Sequence, residues 1–129
     1  MSGLEPKDGV DIIEVRGIRA FGHHGVLSEE RRDGQLFVAD IAIAVDTASA
    51  AASDDLARTV DYSLVAQAVH AEMAGDAVDL LETLAQRIAD RCLDFEGVRA
   101  VEVTLHKPQA PVGVPFDDVV LRIVRRRSA

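Results

Sequence analysis

From Phe37 to Val45 every second residue is apolar: Phe37, Ala39, Ile41, Ile43 and Val45. Strand side chains alternate between the two faces, so residues 35–45 (QLFVADIAIAV) are predicted to form a strand with one core-facing side. A strand polarised in this way needs neighbours to pair with and a layer to cover it. Residues 10–22 (VDIIEVRGIRAFG) alternate at Ile13 and Val15, then change phase around Gly17, as a β-bulge makes a strand do. Residues 98–107 put Val101, Val103 and Leu105 on one face before Pro108 and Pro111 stop the strand. Residues 116–125 supply a fourth strand, with Val119, Leu121 and Ile123 inward.

Two amphipathic helices provide the cover. Leu64, Val65, Ala68, Val69 and Met73 share a helical face over about 61–73. Leu80, Leu81, Leu84, Ala85, Ile88, Ala89 and Cys92 do so over about 80–93, with Asp79 placed as N-cap. A charged loop, HHGVLSEERRDG, joins the first two strands, and residues 46–59 connect to the helices with about one helical turn. The order ββααββ implies an α+β domain: a four-stranded antiparallel sheet with two helices on one face. Residues 1–9 read as a loose polar leader, 10–125 as a single domain and 126–129 as a solvated basic tail.

At 129 residues there is room for one domain. A formal charge of -8 opposes nonspecific binding to nucleic acid or anionic membranes, and with no Trp and one Tyr there is little to stack bases on. The leader lacks the apolar stretch of a signal peptide, no apolar run approaches a membrane span, and Cys92 has no partner for an internal disulfide. The expected setting is therefore the cytoplasm.

The four histidines, His23, His24, His70 and His106, show no metal-ligand spacing, and GHHG is not a phosphate loop. No metal or cofactor is expected. Lys107 is one of only two lysines, and counting by twos puts it on the apolar face at a strand end. It is either a snorkelling stem over the core edge or a partly desolvated amine with a usable proton. Glu82, three residues after Asp79, either completes a capping box or offers a carboxylate, held ionised by the helix dipole, to a guanidine-like N–H edge. Glu30 is either a solvated loop acid or part of a site. Tyr62, the only tyrosine, opens the first helix, where it packs or donates a hydrogen bond.

The stretches FGHHGVLSEERRDGQLF, VDYSLV, DLLETLAQRIA and LHKPQAP carry these four residues, and in this order they closely resemble dihydroneopterin aldolase of the T-fold group. The resemblance runs from about Ile12 to Val124. It implies that Lys107, Tyr62 and Glu30 are catalytic, and that Glu82 anchors a pterin with backbone help from Leu81. Glu30 and Tyr62 would also touch substrate. It further implies metal-free, Schiff-base-free retro-aldol cleavage of 7,8-dihydroneopterin, with epimerisation at C2′ as a side activity. Sheets would join edge to edge into barrels, as tetrameric rings stacked into a homo-octamer, with Tyr62 reaching a neighbour's site. Two rivals stand beside it. One is an epimerase of dihydroneopterin or its triphosphate, for which Arg31 and Arg32 are the only nearby cations. The other is a non-catalytic pterin-binding oligomer, which has no need of Lys107, Tyr62 and Glu30 together.

Overall fold

The computed structural model describes residues 3–7 and 9–128. Its elements are β1 (Asp11–Gly22), α1 (Ser28–Asp33), β2 (Gln35–Val45), α2 (Ala48–Ser53), a 3-10 turn (Leu56–Arg58), α3 (Tyr62–Ala74), α4 (Leu81–Leu93), β3 (Ala100–His106) and β4 (Val120–Arg126). The strands form one antiparallel sheet in the order β1-β2-β3-β4.

The phase change in β1 is a bulge. Pairing with β2 shifts between Val15 and Ile18, Gly17 takes φ 74°, and its N–H donates to Asp40 Oδ1 at 2.8 Å. A left-handed φ of this kind suits glycine, which has no Cβ to clash. Past the bulge, Ile18 and Ala20 return to the core side, and the period-2 reading of β1 survives on both sides of it.

The alternating residues of β2 are all buried, and they meet Val101, Val103 and Leu105 of β3 beneath the helices. Helix α3 buries Val65, Ala68, Val69 and Met73; Leu64 lies on the flank of this stripe and is exposed. Helix α4 buries Leu84, Ala85, Ile88, Ala89 and Cys92. Burial pushes the Cys92 thiol up to about 12, so it acts as a small apolar side chain.

Several boundaries differ from expectation. The charged loop contains a helix, α1. β4 starts at Val120, because β3 ends at His106 and leaves residues 116–119 no strand to pair with beyond one bond, Lys107 N–H to Val119 O at 2.8 Å. Leu80 is the extended N-cap of α4 and is exposed. Part of the leader is folded back: Leu4 N–H donates to Glu102 Oε1 at 2.9 Å, and Lys7 and Val10 exchange backbone hydrogen bonds. Met1, Ser2 and Asp8 of the leader, and Ala129 of the tail, lie outside the described residues.

The basic tail is also partly structural. Arg126 closes β4, and the Arg127 guanidinium donates to the carbonyl of Leu93, the last residue of α4, and to those of Phe95 and Val98 in the turn that follows. A helix end leaves such carbonyls unpaired and partly negative, which is why an arginine settles there. Among the described residues no helix is long and apolar enough to cross a membrane.

Candidate active site

Lys107 follows the last residue of β3, and its side chain enters the core side as the alternation requires. Its Nζ lies 2.6 Å from Glu30 Oε2 and 5.9 Å from the centroid of the Phe37 ring. The two charged side chains are 11% and 9% exposed. Glu30 is thus not a solvated loop acid but the one buried residue of α1.

Local structure delivers Glu30 to this position. It is the third residue of a six-residue helix, and its Oε1 accepts the Leu27 N–H at 3.2 Å, closing the helix start on itself. Its Oε2 also accepts from Gln35 Nε2 at 3.0 Å. Gly25 permits the close packing, since at φ 154° a Cβ there would overlap the Glu30 carboxylate. Burial alone would raise the Glu30 pKa. Hydrogen bonds from Lys107, Gln35 and Leu27 outweigh it and hold the carboxyl below its usual range.

The first turn of α4 is brought to the same end of the molecule by contacts that sequence patterns do not show. The Gly25 N–H donates to Val78 O at 2.9 Å, and the Arg31 guanidinium pairs with Asp79. His24 is 1% exposed. Its Nδ1 accepts the Val78 N–H at 3.1 Å, so Nε2 carries the proton it donates to Met73 O at 2.6 Å. This neutral ring ties the end of α3 to the approach to α4. Burial lowers its pKa, against the opposing hydrogen bond to Met73.

Asp79, engaged by Arg31, does not cap α4. The N-cap is Leu80, without a side-chain bond, which puts Glu82 at the second helical position rather than the third. The capping box is therefore absent. Glu82 is exposed, and no hydrogen bond or ion pair among the described residues engages it. Leu81 beside it opens the helix, half-buried.

Next to the ion pair is a cleft of about 350 Å³ lined by Leu27, Glu29, Glu30, Asp33, Gly34, Gln35, Gln109 and Pro111. That is the size range of a small-molecule site. A side chain buried at its edge, Gln35, has its Oε1 unpaired. Among the described residues no three His, Cys, Asp or Glu side chains are grouped as metal ligands would be.

Tyr62 lies elsewhere. It is the first residue of α3 and 60% exposed. Val60, just before it, is near Gly97, ahead of β3, whereas Lys107 lies past the other end of that strand. Seven strand residues separate the two ends by roughly 20 Å. A second hollow, of about 200 Å³, lies at the Tyr62 end between Asp46, Arg58, Thr59, Val60 and Glu96. One chain thus brings Glu30, Lys107, Leu81 and Glu82 to one end and leaves Tyr62 at the other.

Residues 13–124 match the family model described as dihydroneopterin aldolase, FolB. The chain is 55% identical over 118 residues to the dihydroneopterin aldolase of Streptomyces coelicolor, covering 92% of this chain and 99% of that protein. The structure of E. coli dihydroneopterin aldolase in complex with neopterin superposes with a TM-score of 0.81 at 30% identity, over 89% of this chain and 98% of that one. A Burkholderia dihydroneopterin aldolase bound to guanine gives 0.77 at 27% identity, over 94% of each chain.

Proposed function

Since this chain belongs to the dihydroneopterin aldolase family, a T-fold group of folate-pathway lyases, we propose that the buried Glu30–Lys107 pair is the centre of a metal-free, imine-free retro-aldol site. The observation that carries the reading is that pair, 2.6 Å apart beside an open cleft and at the same end of the molecule as Glu82 of α4.

The substrate is 7,8-dihydroneopterin, and the bond to break is C1′–C2′. Removing the 2′-hydroxyl proton lets C2′ become an aldehyde. The bond's electrons move toward C1′ and into the adjacent C6=N5 bond, and N5 gains a proton. Protonation at C1′ and loss of the N5 proton then give 6-hydroxymethyl-7,8-dihydropterin beside glycolaldehyde. Because the ring is the electron sink, neither a lysine imine nor a Lewis acid is needed, and the protein has protons to manage.

Lys107, with Tyr62 and a water between them, shares the proton transfers, while Glu30 holds the diol and keeps Lys107 in place. Glu82 accepts from the 2-amino and N3–H edge of the pterin, with Leu81 adding backbone contacts. Guanine, bound by the Burkholderia relative, presents the same kind of edge. The freedom of the Glu82 carboxylate at a helix N-terminus suits it to that task.

Tyr62 reaches a site only from a neighbouring copy, because its own chain keeps it roughly 20 Å away. The sheet leaves β1 and β4 as open edges, which a ring of copies would close. We assign the assembly as tetrameric rings stacked into an octamer. Recapture of glycolaldehyde through its other face would invert C2′, giving an epimerase side activity. A triphosphate substrate is disfavoured, since Arg31 is held by Asp79 and Gly25, and Arg32 by Asp33.

The test is incubation with 7,8-dihydroneopterin under exhaustive chelation, with product identification. Formation of both products supports the reading. Loss of cleavage under chelation with recovery on adding zinc would overturn the metal-free mechanism, and no cleavage under any condition would leave a pterin-binding oligomer.

A further inference from the structure

On the side of β3 away from Lys107, His106 has both ring nitrogens on carboxylates. Nε2 is 2.8 Å from Asp40 Oδ2, and Nδ1 is 2.8 Å from Asp118 Oδ2. Two ionised acceptors satisfy both nitrogens only when both carry protons, so the bridge is complete as an imidazolium. The other Asp40 oxygen accepts the Gly17 N–H of the β1 bulge. The contacts thus run across the sheet from β1 through β2 and β3 to the segment that enters β4.

This chain of contacts ends beside Lys107. The Lys107 N–H donates to Val119 O at 2.8 Å, so residues 106 and 107 are fastened to 118 and 119 by one ionic and one backbone link. Side chains of consecutive strand residues leave on opposite faces. His106 therefore holds, from behind, the strand end that presents Lys107 to Glu30 in front. We propose that His106 is a positioning residue for Lys107, and that its cationic bridge to Asp40 and Asp118 fixes the end of β3 during turnover. The proposal rests on the catalytic reading of Lys107.

Burial alone would lower the His106 pKa, but the Asp40 and Asp118 carboxylates outweigh it and raise it above its ordinary value. The charged groups facing the bridge are Asp40 from β2, Asp118 ahead of β4 and, from β1, Arg16, which acts on Asp40, and Glu14, which pairs with Arg16 and lines the same hollow as Asp40. Further along the face, Glu102 and Arg122 pair with each other. The bridge is therefore whole below the ordinary histidine range and is lost as pH rises through the raised pKa.

The experiment compares kcat and KM for dihydroneopterin cleavage across pH in the wild-type oligomer, His106→Gln, His106→Arg and Asp118→Asn. Histidine-ring NMR titration of wild type and Asp118→Asn, and Lys107→Arg assayed in parallel, complete it. His106→Gln is expected to lose roughly tenfold or more in kcat below about pH 6.5, where the wild-type bridge is whole, within the cost of a small misplacement, while KM changes little. It should also lose the alkaline limb that follows the His106 titration. His106→Arg, a permanent cation with donors for both carboxylates, should recover most of kcat without that limb. Asp118→Asn, a mild change, should move both the ring titration and the limb to lower pH, which keeps the test decisive if His106→Gln does not assemble. Wild-type kcat in assembled His106→Gln, or a ring titration that moves in Asp118→Asn while the limb stays, overturns the positioning role. Normal turnover by Lys107→Arg would instead overturn the catalytic reading of Lys107, and the two failures are told apart.

Discussion

Lys107 Nζ and Glu30 Oε2 stand 2.6 Å apart with about nine-tenths of each side chain out of water. Each charge depends on the other, because removing one partner strands a desolvated ion. Glu30→Gln should therefore destabilise the protein by about 3 kcal/mol at neutral pH. The Glu30 pKa is lowered by folding, so its contribution is present above the usual carboxylate range and is lost as pH falls through the folded value. The gap between wild type and Glu30→Gln, followed by thermal melting at fixed protein concentration, should close on acidification below about pH 4. A gap that persists there would show that packing, not charge, is what the variant disturbs.

Lys107→Arg separates charge from proton transfer. Arginine keeps the cation and the stem but does not release a proton near neutrality. Single-turnover cleavage should slow by at least roughly a hundredfold, the lower end of what acid–base groups supply, with pterin affinity retained. Near-normal turnover would remove Lys107 from the chemistry.

Glu82→Gln should leave folding untouched, since α4 starts at Leu81, after Leu80 as N-cap, with no capping box to lose. Pterin affinity should fall by about 2 kcal/mol or more, as a charge-assisted acceptor becomes an amide. Calorimetry with a non-reactive pterin, alongside a melting curve, reads both quantities. Unchanged affinity would free Glu82 of any role in recognition.

Sites shared between copies can be detected by mixing. Lys107→Ala and Tyr62→Ala should each be inactive. When the two are dissociated and reassembled together, about a quarter of the sites should combine an intact Lys107 with an intact Tyr62. Activity recovered on mixing reports a neighbour's Tyr62, and none recovered in mixed oligomers would place both residues in one chain's site.

The fold was legible where burial is one-sided. β2 runs over residues 35–45 as its alternation requires, and counting by twos from Val101 put Lys107 on the core side. The bulge at Gly17 showed as a change of phase. What patterns could not show depends on contacts between distant parts of the chain. Asp79 has the sequence of an N-cap, but Arg31, 48 residues earlier, draws its side chain away. Glu30 sits among charges typical of a solvated loop, yet Lys107 and Gln35 pull it inward, and the six-residue α1 has too few apolar residues to betray itself by periodicity. His24 and His106 looked alike as lone histidines. One is neutral and buried between Met73 and Val78, and the other bridges two acids; neither environment leaves a mark on spacing. The boundary of β4 slipped because Val119 extends the alternation of Leu121 and Ile123, and Phe116 stands just before it, where the partner strand has already ended.

The hold of Arg127 on the carbonyls of Leu93, Phe95 and Val98 bears on how this protein is engineered. Helix α4 carries Glu82 at its other end, so this arginine helps to seat the element that presents Glu82. Trimming the chain back to Arg126, or substituting Arg127 during surface-charge redesign, would loosen the C-terminal end of a helix whose opposite end is offered to a ligand. Fusions are better appended beyond Ser128, leaving that guanidinium free to fold back.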